Sequence, residues 1–286
     1  MKSKKRILIA GGDMRQIFCA SKLAEEYDIS LAGFDSGIIP AGTGSFQHDD
    51  AEKFEYIVLP VPPLDENENI STPCFSGELS PKDIAGKLVK GGTVFTGRND
   101  SRLAEIFPYA HIENYMEREE LCLKNAVPTA EGAVQTALEE LPVTLNGLPV
   151  LIVGMGRIGT ALTEILKGFG ADITAAVRSS TGAAKARIHG IKSIPAEDIG
   201  GRYALVFTTA PELVFNSDRL KMFNDSTLFI DLASRPGGID FASASALGKK
   251  VIWALGLPGK TAPMTAGEIV AETIAGMIRE GGNGYE

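Results

Sequence analysis

The sequence predicts an α/β protein made of two parallel-sheet lobes. Three observations lead there. Short apolar runs alternate with stretches of helical periodicity along the chain, the pattern of strands joined by crossover helices. One of these runs, Val150-Leu151-Ile152-Val153, feeds directly into Gly154-Met155-Gly156-Arg157-Ile158-Gly159, a glycine turn that opens a helix. A chain of 286 residues is long for one hydrophobic core and comfortable for two. The expected architecture is two Rossmann-like or flavodoxin-like lobes, joined by bridging helices with a crevice between them.

Residues 1–125 form the first expected domain, on the substrate side. Arg6-Ile7-Leu8-Ile9-Ala10 reads as a strand ending in Gly11-Gly12-Asp13-Met14-Arg15-Gln16, and Ile17, Phe18, Ala20, Leu23 and Ala24 suit the helix that follows. Residues 29–34 give a second strand, ending at Asp35. Tyr56-Ile57-Val58-Leu59 is a third, stopped by Pro60, Pro62 and Pro63. Thr93-Val94-Phe95-Thr96 is a fourth, closed by Gly97-Arg98-Asn99. Residues 65–80, polar and punctuated by Pro73 with Pro81 beyond, read as an exposed, mobile loop.

A bridging helix is expected over 126–146, with Thr129 as its cap and Ala133, Val134, Ala137, Leu138 and Leu141 on its apolar face. Asn146-Gly147 then turns into the second domain, 147–264. Ile158, Leu162, Ile165, Leu166 and Phe169 form the stripe of an amphipathic helix, and 171–177 is the next buried strand. Later strands are Tyr203-Ala204-Leu205-Val206-Phe207, Thr227-Leu228-Phe229-Ile230-Asp231 and Lys250-Val251-Ile252-Trp253-Ala254. A last helix, 265–286, begins near Thr265 and places Ile269, Val270, Thr273, Ile274, Met277 and Ile278 on one side, where it would brace the first domain.

Composition excludes several classes. Hydrophobic residues make up 44% and charged residues 22%, ordinary for a soluble globular protein. The net charge of −8, with no stripe of Lys or Arg, argues against nucleic acid as a partner. Lys2 to Arg6 is basic but lacks the apolar stretch of a signal peptide, and no window approaches a transmembrane helix. Cys19, Cys74 and Cys122 are isolated, without metal spacing. They read as buried core thiols of a protein in a reducing cytoplasm, and no metal is expected.

The glycine turn carries the chemistry. Its first Gly allows a tight exit from the strand, its second lets a pyrophosphate approach the backbone, and its third packs helix on sheet. Nineteen residues past Gly159 comes Val177-Arg178-Ser179-Ser180. An acidic residue at that strand end would bond the ribose 2′-hydroxyl of NAD. A cation and two hydroxyls suit a 2′-phosphate, so NADP is favoured over NAD.

Other strand-end loops hold candidate site residues. Thr208-Thr209-Ala210-Pro211 either lies along the cofactor or caps the next helix. Leu232-Ala233-Ser234-Arg235-Pro236-Gly237-Gly238 puts an arginine fork on a glycine-rich loop, to bind a carboxylate or to fix the loop by a salt bridge. Residues 255–267 form a stiff loop with Lys260, or simply a helix entry capped by Thr265. In the first domain Asp13, Arg15 and Gln16 sit at a helix N-terminus, where Asp13 is a site residue or a cap. Arg98 and Asn99 follow the fourth strand. Arg15, Arg98, Arg235 and Lys260 together would suit a small acid with more than one carboxylate, and Glu131 and Thr129 are candidate proton handlers. His48, His111 and His189 lack functional context, and His189-Gly190 looks like a surface helix end.

The combination of Gly11-Gly12-Asp13 with Arg15-Gln16, Pro128-Thr129 with Glu131-Gly132, and Asp231-Leu232-Ala233-Ser234-Arg235-Pro236-Gly237-Gly238 resembles the A-subunit family of dipicolinate synthases. So do Leu257-Pro258-Gly259, Ala262-Pro263 and Thr265-Ala266-Gly267. The resemblance runs nearly end to end. It implies a cytoplasmic sporulation enzyme at a branch from lysine biosynthesis, working with a flavoprotein-like B subunit on a small cyclic dicarboxylate; the sequence leaves open whether the chain is also a homo-oligomer. The implied reaction is NADP-dependent oxidation of dihydrodipicolinate, formed from 4-hydroxytetrahydrodipicolinate, to dipicolinate. The family is similar in layout to 2-hydroxyacid and alanine dehydrogenases. In the 2-hydroxyacid enzymes a substrate-binding arginine maps approximately to Arg235, whereas their catalytic His has no evident counterpart. An alanine-dehydrogenase-like or other amino-acid or hydroxy-acid oxidoreductase, or a cofactor-binding polypeptide without chemistry of its own, are the alternatives.

Overall fold

The same strand order occurs twice along the chain. The computed structural model describes residues 4–46 and 52–282, so His48 lies outside the described residues. The first unit comprises residues 1–124 and 262–286, the second 125–261. In chain order the first unit contains β1 (Arg6–Ala10), α1 (Met14–Leu23), β2 (Asp28–Ala32), β3 (Gly44–Ser45), β4 (Phe54–Val58), α2 (Pro81–Ala85), β5 (Leu88–Thr96), α3 (Arg102–Ile106) and β6 (His111–Asn114). Helix α4 (Glu119–Glu140) passes into the second unit. There follow β7 (Pro149–Val153), α5 (Arg157–Gly168), β8 (Asp172–Val177), α6 (Ser180–Ile188), β9 (Lys192–Pro195), β10 (Leu205–Thr208) and α7 (Ser217–Lys221). β11 (Leu228–Asp231), α8 (Phe241–Ala246), β12 (Lys250–Trp253) and α9 (Leu257–Thr261) complete it, and α10 (Pro263–Gly282) returns to the first unit.

Each unit has a six-stranded sheet, β3-β2-β1-β4-β5-β6 in one and β9-β8-β7-β10-β11-β12 in the other. Every paired strand is parallel. Both units therefore take the Rossmann order, with the third, second and first strands followed by the fourth, fifth and sixth, and neither takes the flavodoxin order. The order reverses between β1 and β4, and between β7 and β10. Ligands of such sheets bind beyond the carboxyl ends of the strands at that point.

Alternation along each strand supplies two cores per unit. Ile7, Ile9, Ile29 and Leu31 face α1 and α10, meeting Ile17, Leu23, Ile274 and Ile278. Leu8, Ile57 and Val94 face the other way, toward Ile70, Ile84 and Leu103. In the second unit Val150 and Ile152 pack with Leu162, Leu166 and Ala133, while Leu151 and Val153 pack with Phe215, Leu220 and Phe229.

Several local expectations are corrected. Residues 65–80 form a loop with exposed stretches, as expected, but the loop is anchored to the sheet. Ile70 is fully buried, its N–H donates to Leu79 O, and Gly12 N–H donates to Ser71 O. Ile70 and Leu79 pack against one face of the sheet, which the segment's polar average conceals. The helix expected over 126–146 runs from Glu119 to Glu140 with Pro128 inside it. Thr129 does not cap it; its hydroxyl donates to Asn125 O one turn back. Leu121, Ala126, Ala130, Ala133 and Ala137 are buried at helical spacing and carry the helix through the proline.

The stretch 255–267 is helical rather than a loop, split between α9 and α10, and Thr265 lies inside α10 instead of capping it. Leu138 and Phe169, expected on buried faces, are exposed beside an apolar groove with Val134 and Ile165. Of the three thiols only Cys19 is buried, which pushes it up to about 12; Cys74 and Cys122 are half-buried. Strands β3, β6 and β9 were not expected. They lie at sheet edges and are too short or too polar to stand out. His111 begins β6, and His189 caps the end of α6 with Nδ1 2.7 Å from Glu164 Oε1. Among the described residues no helix is long and apolar enough to cross a membrane, and no group of three His, Cys, Asp or Glu is placed to hold a metal.

Candidate dinucleotide site

The turn after β7 is an open cradle. Gly154 has φ +98°, in the region that disfavours side chains. A Cβ on Gly159 would sit 2.0 Å from Gly154 O, so only glycine lets α5 approach the strand this closely. Gly156 is different: a Cβ there would meet no atom within 4 Å. The protein's own atoms do not require a glycine here, and the space beside it is open to a ligand. Helix α5 also starts at Gly156 without a side-chain cap, as the short helices α2 and α3 do, whereas Asp13, Ser179, Asn216 and Asp240 cap α1, α6, α7 and α8. An uncapped N-terminus above empty space fits a pyrophosphate. Met155 is buried beneath the turn, with its sulfur 3.8 Å from Thr163 Oγ1, and Ile158 packs partly into the core. Arg157 is exposed.

The neighbouring strand ends meet this turn. Thr209 donates both its N–H and its hydroxyl to Val153 O, at 3.1 and 2.9 Å, tying the end of β10 to the end of β7. Thr208 is buried within the sheet, while Ala210 and Pro211 lead outward. The capping alternative for 208–211 fails, because α7 begins only at Ser217 and Asn216 caps it.

Asp231 organises the next loop. Its carboxylate is fully buried and accepts N–H bonds from Ala233 at 3.0 Å and Gly238 at 2.7 Å. Burial pushes this carboxyl above the ordinary aspartate range, with the backbone donors pulling it partly back. Trp253 Nε1–H donates to Ala233 O at 3.0 Å and stacks on Phe241. The guanidinium of Arg235 lies 5.5 Å from the Trp253 ring centroid. A salt bridge from Arg235 is thus not what fixes this loop. Asp231 and Trp253 do so, and Arg235 has no carboxylate partner among the described residues. Leu232 and Ala233 are buried and Ser234 is exposed.

At the end of β8, Ser179 accepts Gly182 N–H and caps α6, whose first residue is Ser180. Arg178 is 62% exposed and pairs with Glu212, on the loop after β10. Sequence reading did not single out Glu212. The two residues are 34 positions apart and meet only because β8 and β10 flank β7. Asp231 as loop organiser and Trp253 were likewise missed. Their partners are backbone groups that spacing cannot reveal.

The matching point of the first unit is filled by the protein itself. Gly11 and Gly12 have φ +70° and +110°, but a Cβ on Gly11 would meet Ser71 O at 2.6 Å and one on Gly12 would meet Gln16 Oε1 at 2.6 Å. Asp13 caps α1 by accepting Arg15 N–H at 3.0 Å, a contact worth about 1 kcal/mol. The same carboxylate takes the Arg15 guanidinium at 2.8–2.9 Å through two nitrogens. The helix N-terminus already holds an anion, and that anion is Asp13. Asn99 pairs with Glu117 and Asn114, whereas Arg98 is exposed. In the second unit, Glu131 is exposed on α4 beside the apolar groove, and Lys260 is exposed on α9.

Comparison with known proteins agrees with this division. Residues 6–116 match the N-terminal domain of the dipicolinate synthase A-subunit family, and residues 123–252 match the NAD-binding domain of D-isomer specific 2-hydroxyacid dehydrogenases. The second unit therefore carries a nicotinamide-dinucleotide fold of the oxidoreductase type. Crystal structures of the dipicolinate synthase A chain superpose from Bacillus subtilis (29% identity, TM-score 0.88, 98% of this chain and 97% of that one) and Bacillus halodurans (28%, 0.87, 97% and 99%). The A-subunit sequence of Bacillus subtilis strain 168 is 30% identical across 96% of both chains. With that similarity spanning both units, the chain belongs to the A-subunit family of dipicolinate synthases.

Proposed function

We propose that this chain binds NADP on its second unit and, with a flavoprotein-like B subunit, oxidises dihydrodipicolinate to dipicolinate during sporulation in the bacterial cytoplasm. The substrate arises from 4-hydroxytetrahydrodipicolinate by loss of water. The observation that carries the reading is the empty space above Gly156 at an uncapped helix start, with Arg178, Ser179 and Ser180 at the adjacent strand end. Backbone N–H groups of the turn hold the pyrophosphate, and Arg178 with the two serines receives the 2′-phosphate.

When bound, the oxidised nicotinamide accepts a hydride. The protein has to place the dicarboxylate and keep water out. Arg235 suits the first task, since its planar fork matches a carboxylate and its loop is already ordered by Asp231 and Trp253. Because the product is aromatic, the ring proton needs only a base of ordinary strength. Glu131, exposed on α4, is the side chain proposed for that role. The Thr129 hydroxyl is committed to Asn125 O, and Asp13 to Arg15, so neither is proposed as the base.

The test mixes the chain, the partner protein, NADP and enzymatically made hydroxytetrahydrodipicolinate, and follows the aromatic ultraviolet absorbance. Absorbance that appears only when all four are present supports the reading. Absorbance that survives omission of this chain assigns the oxidation elsewhere.

A further inference from the structure

The Arg178–Glu212 pair is unlike the exposed ion pairs that form within single helices. It joins loops from two strands on opposite sides of β7, the strand that opens onto the glycine cradle. Neighbouring strands lie about 4.8 Å apart, so the pair spans roughly 10 Å across the mouth of that strand. Glu212 stands at the tip of a short excursion. The excursion is pinned at one end by Thr209 on Val153 O and at the other by Val214 and Phe215 N–H on Gly238 O. More than half of each side chain is in water, so the fold does not depend on the pair and either partner is free to exchange.

We propose that Glu212 is a specificity-determining residue: it occupies Arg178 when no 2′-phosphate is present and so sets the margin by which the site prefers NADP over NAD. This rests on the reading of Arg178 as the 2′-phosphate contact. A carboxylate and a phosphate are alternative acceptors for one guanidinium fork. Binding of a 2′-phosphate must displace Glu212 and leave a second anion nearby. An unphosphorylated ribose demands neither, and its 2′-hydroxyl finds in Glu212 an acidic acceptor delivered from β10 rather than from β8. The internal acid therefore narrows the preference that Arg178 creates.

Purified full-length chain is titrated with NADPH and with NADH, following dinucleotide fluorescence, for the unmodified protein, Glu212→Gln, Arg178→Ala and the double variant. Glu212→Gln is expected to raise the NADPH-to-NADH affinity ratio about two- to five-fold, the size of an exposed ion-pair effect, with an unchanged melting temperature. The increase should vanish in the Arg178→Ala background. A ratio that Glu212→Gln leaves flat while Arg178→Ala lowers it overturns the role of Glu212 and leaves the NADP reading standing. A ratio that Arg178→Ala leaves unchanged overturns both. An increase that persists without Arg178 marks general charge repulsion and also overturns the proposal.

Discussion

The guanidinium of Arg235 sits over the ring of Trp253, 5.5 Å from its centroid, and the indole N–H of that ring holds Ala233 O two residues before the arginine. One aromatic side chain thus orders both the loop and the cation it presents. Trp253 is the sole tryptophan of the chain, so its emission reports on this one place. Dipicolinate added to the protein is expected to shift or quench that emission, and Arg235→Ala to abolish the response. Arg235→Lys keeps the charge and loses the fork, which should lower turnover roughly 10- to 100-fold. Turnover at the parent rate would remove Arg235 from the carboxylate site.

Two glycines of one motif should behave oppositely. A methyl group on Gly156 enters empty space, so Gly156→Ala should fold and melt as the parent does, yet lose about tenfold or more in NADPH affinity by blocking the backbone. A methyl group on Gly159 would lie 2.0 Å from Gly154 O, so Gly159→Ala should destabilise the unit by roughly 1–3 kcal/mol. Thermal melts and calorimetric titrations of both variants separate the two effects. Normal NADPH binding by Gly156→Ala would show that no ligand uses that space.

The segment 65–80 should be as firm as the sheet it covers. Ile70 is fully buried against Leu8, Ile57 and Leu64, so Ile70→Ala should cost about 2–4 kcal/mol in urea unfolding. It should also expose the segment to limited proteolysis, which the parent resists. Rapid cleavage of the parent within 65–80 would contradict the packing.

What the sequence made legible follows from what each residue's partners are. The β7 turn and the strand of Arg178 were readable because glycine spacing, apolar runs and helical stripes are local, and all lie within about 30 residues. Pro128-Thr129 was misread for the same reason. Locally they spell a helix start, but buried Leu121 and Ala126 before the proline extend α4 through it. Ile70 was hidden because a few apolar residues scattered through a polar stretch have no period to betray them. The Glu212 contact with Arg178, and the hold of Asp231 on Gly238 N–H, depend on strand order and loop geometry, which no spacing encodes.

Asp231 sets the last expectation. Its carboxylate gathers the N–H groups of Ala233 and Gly238 in a fully buried position, so Asp231→Ala leaves buried donors unpaired and should cost about 2–4 kcal/mol. Asp231→Asn keeps the size but turns an amide donor toward one of those N–H groups, for about 1–2 kcal/mol. The two forms differ in their response to acid. Because burial raises the carboxyl in the folded state, its stabilising contribution is full below the ordinary aspartate value of about 3.9 and falls as pH rises through the folded value. The stability advantage of the parent over Asp231→Asn should therefore be greatest at the acid end, shrink as pH rises, and level off once the folded carboxyl is ionised. Urea unfolding of the pair across that range checks the sign. An advantage that grows with pH would mean that the backbone donors outweigh burial at this aspartate.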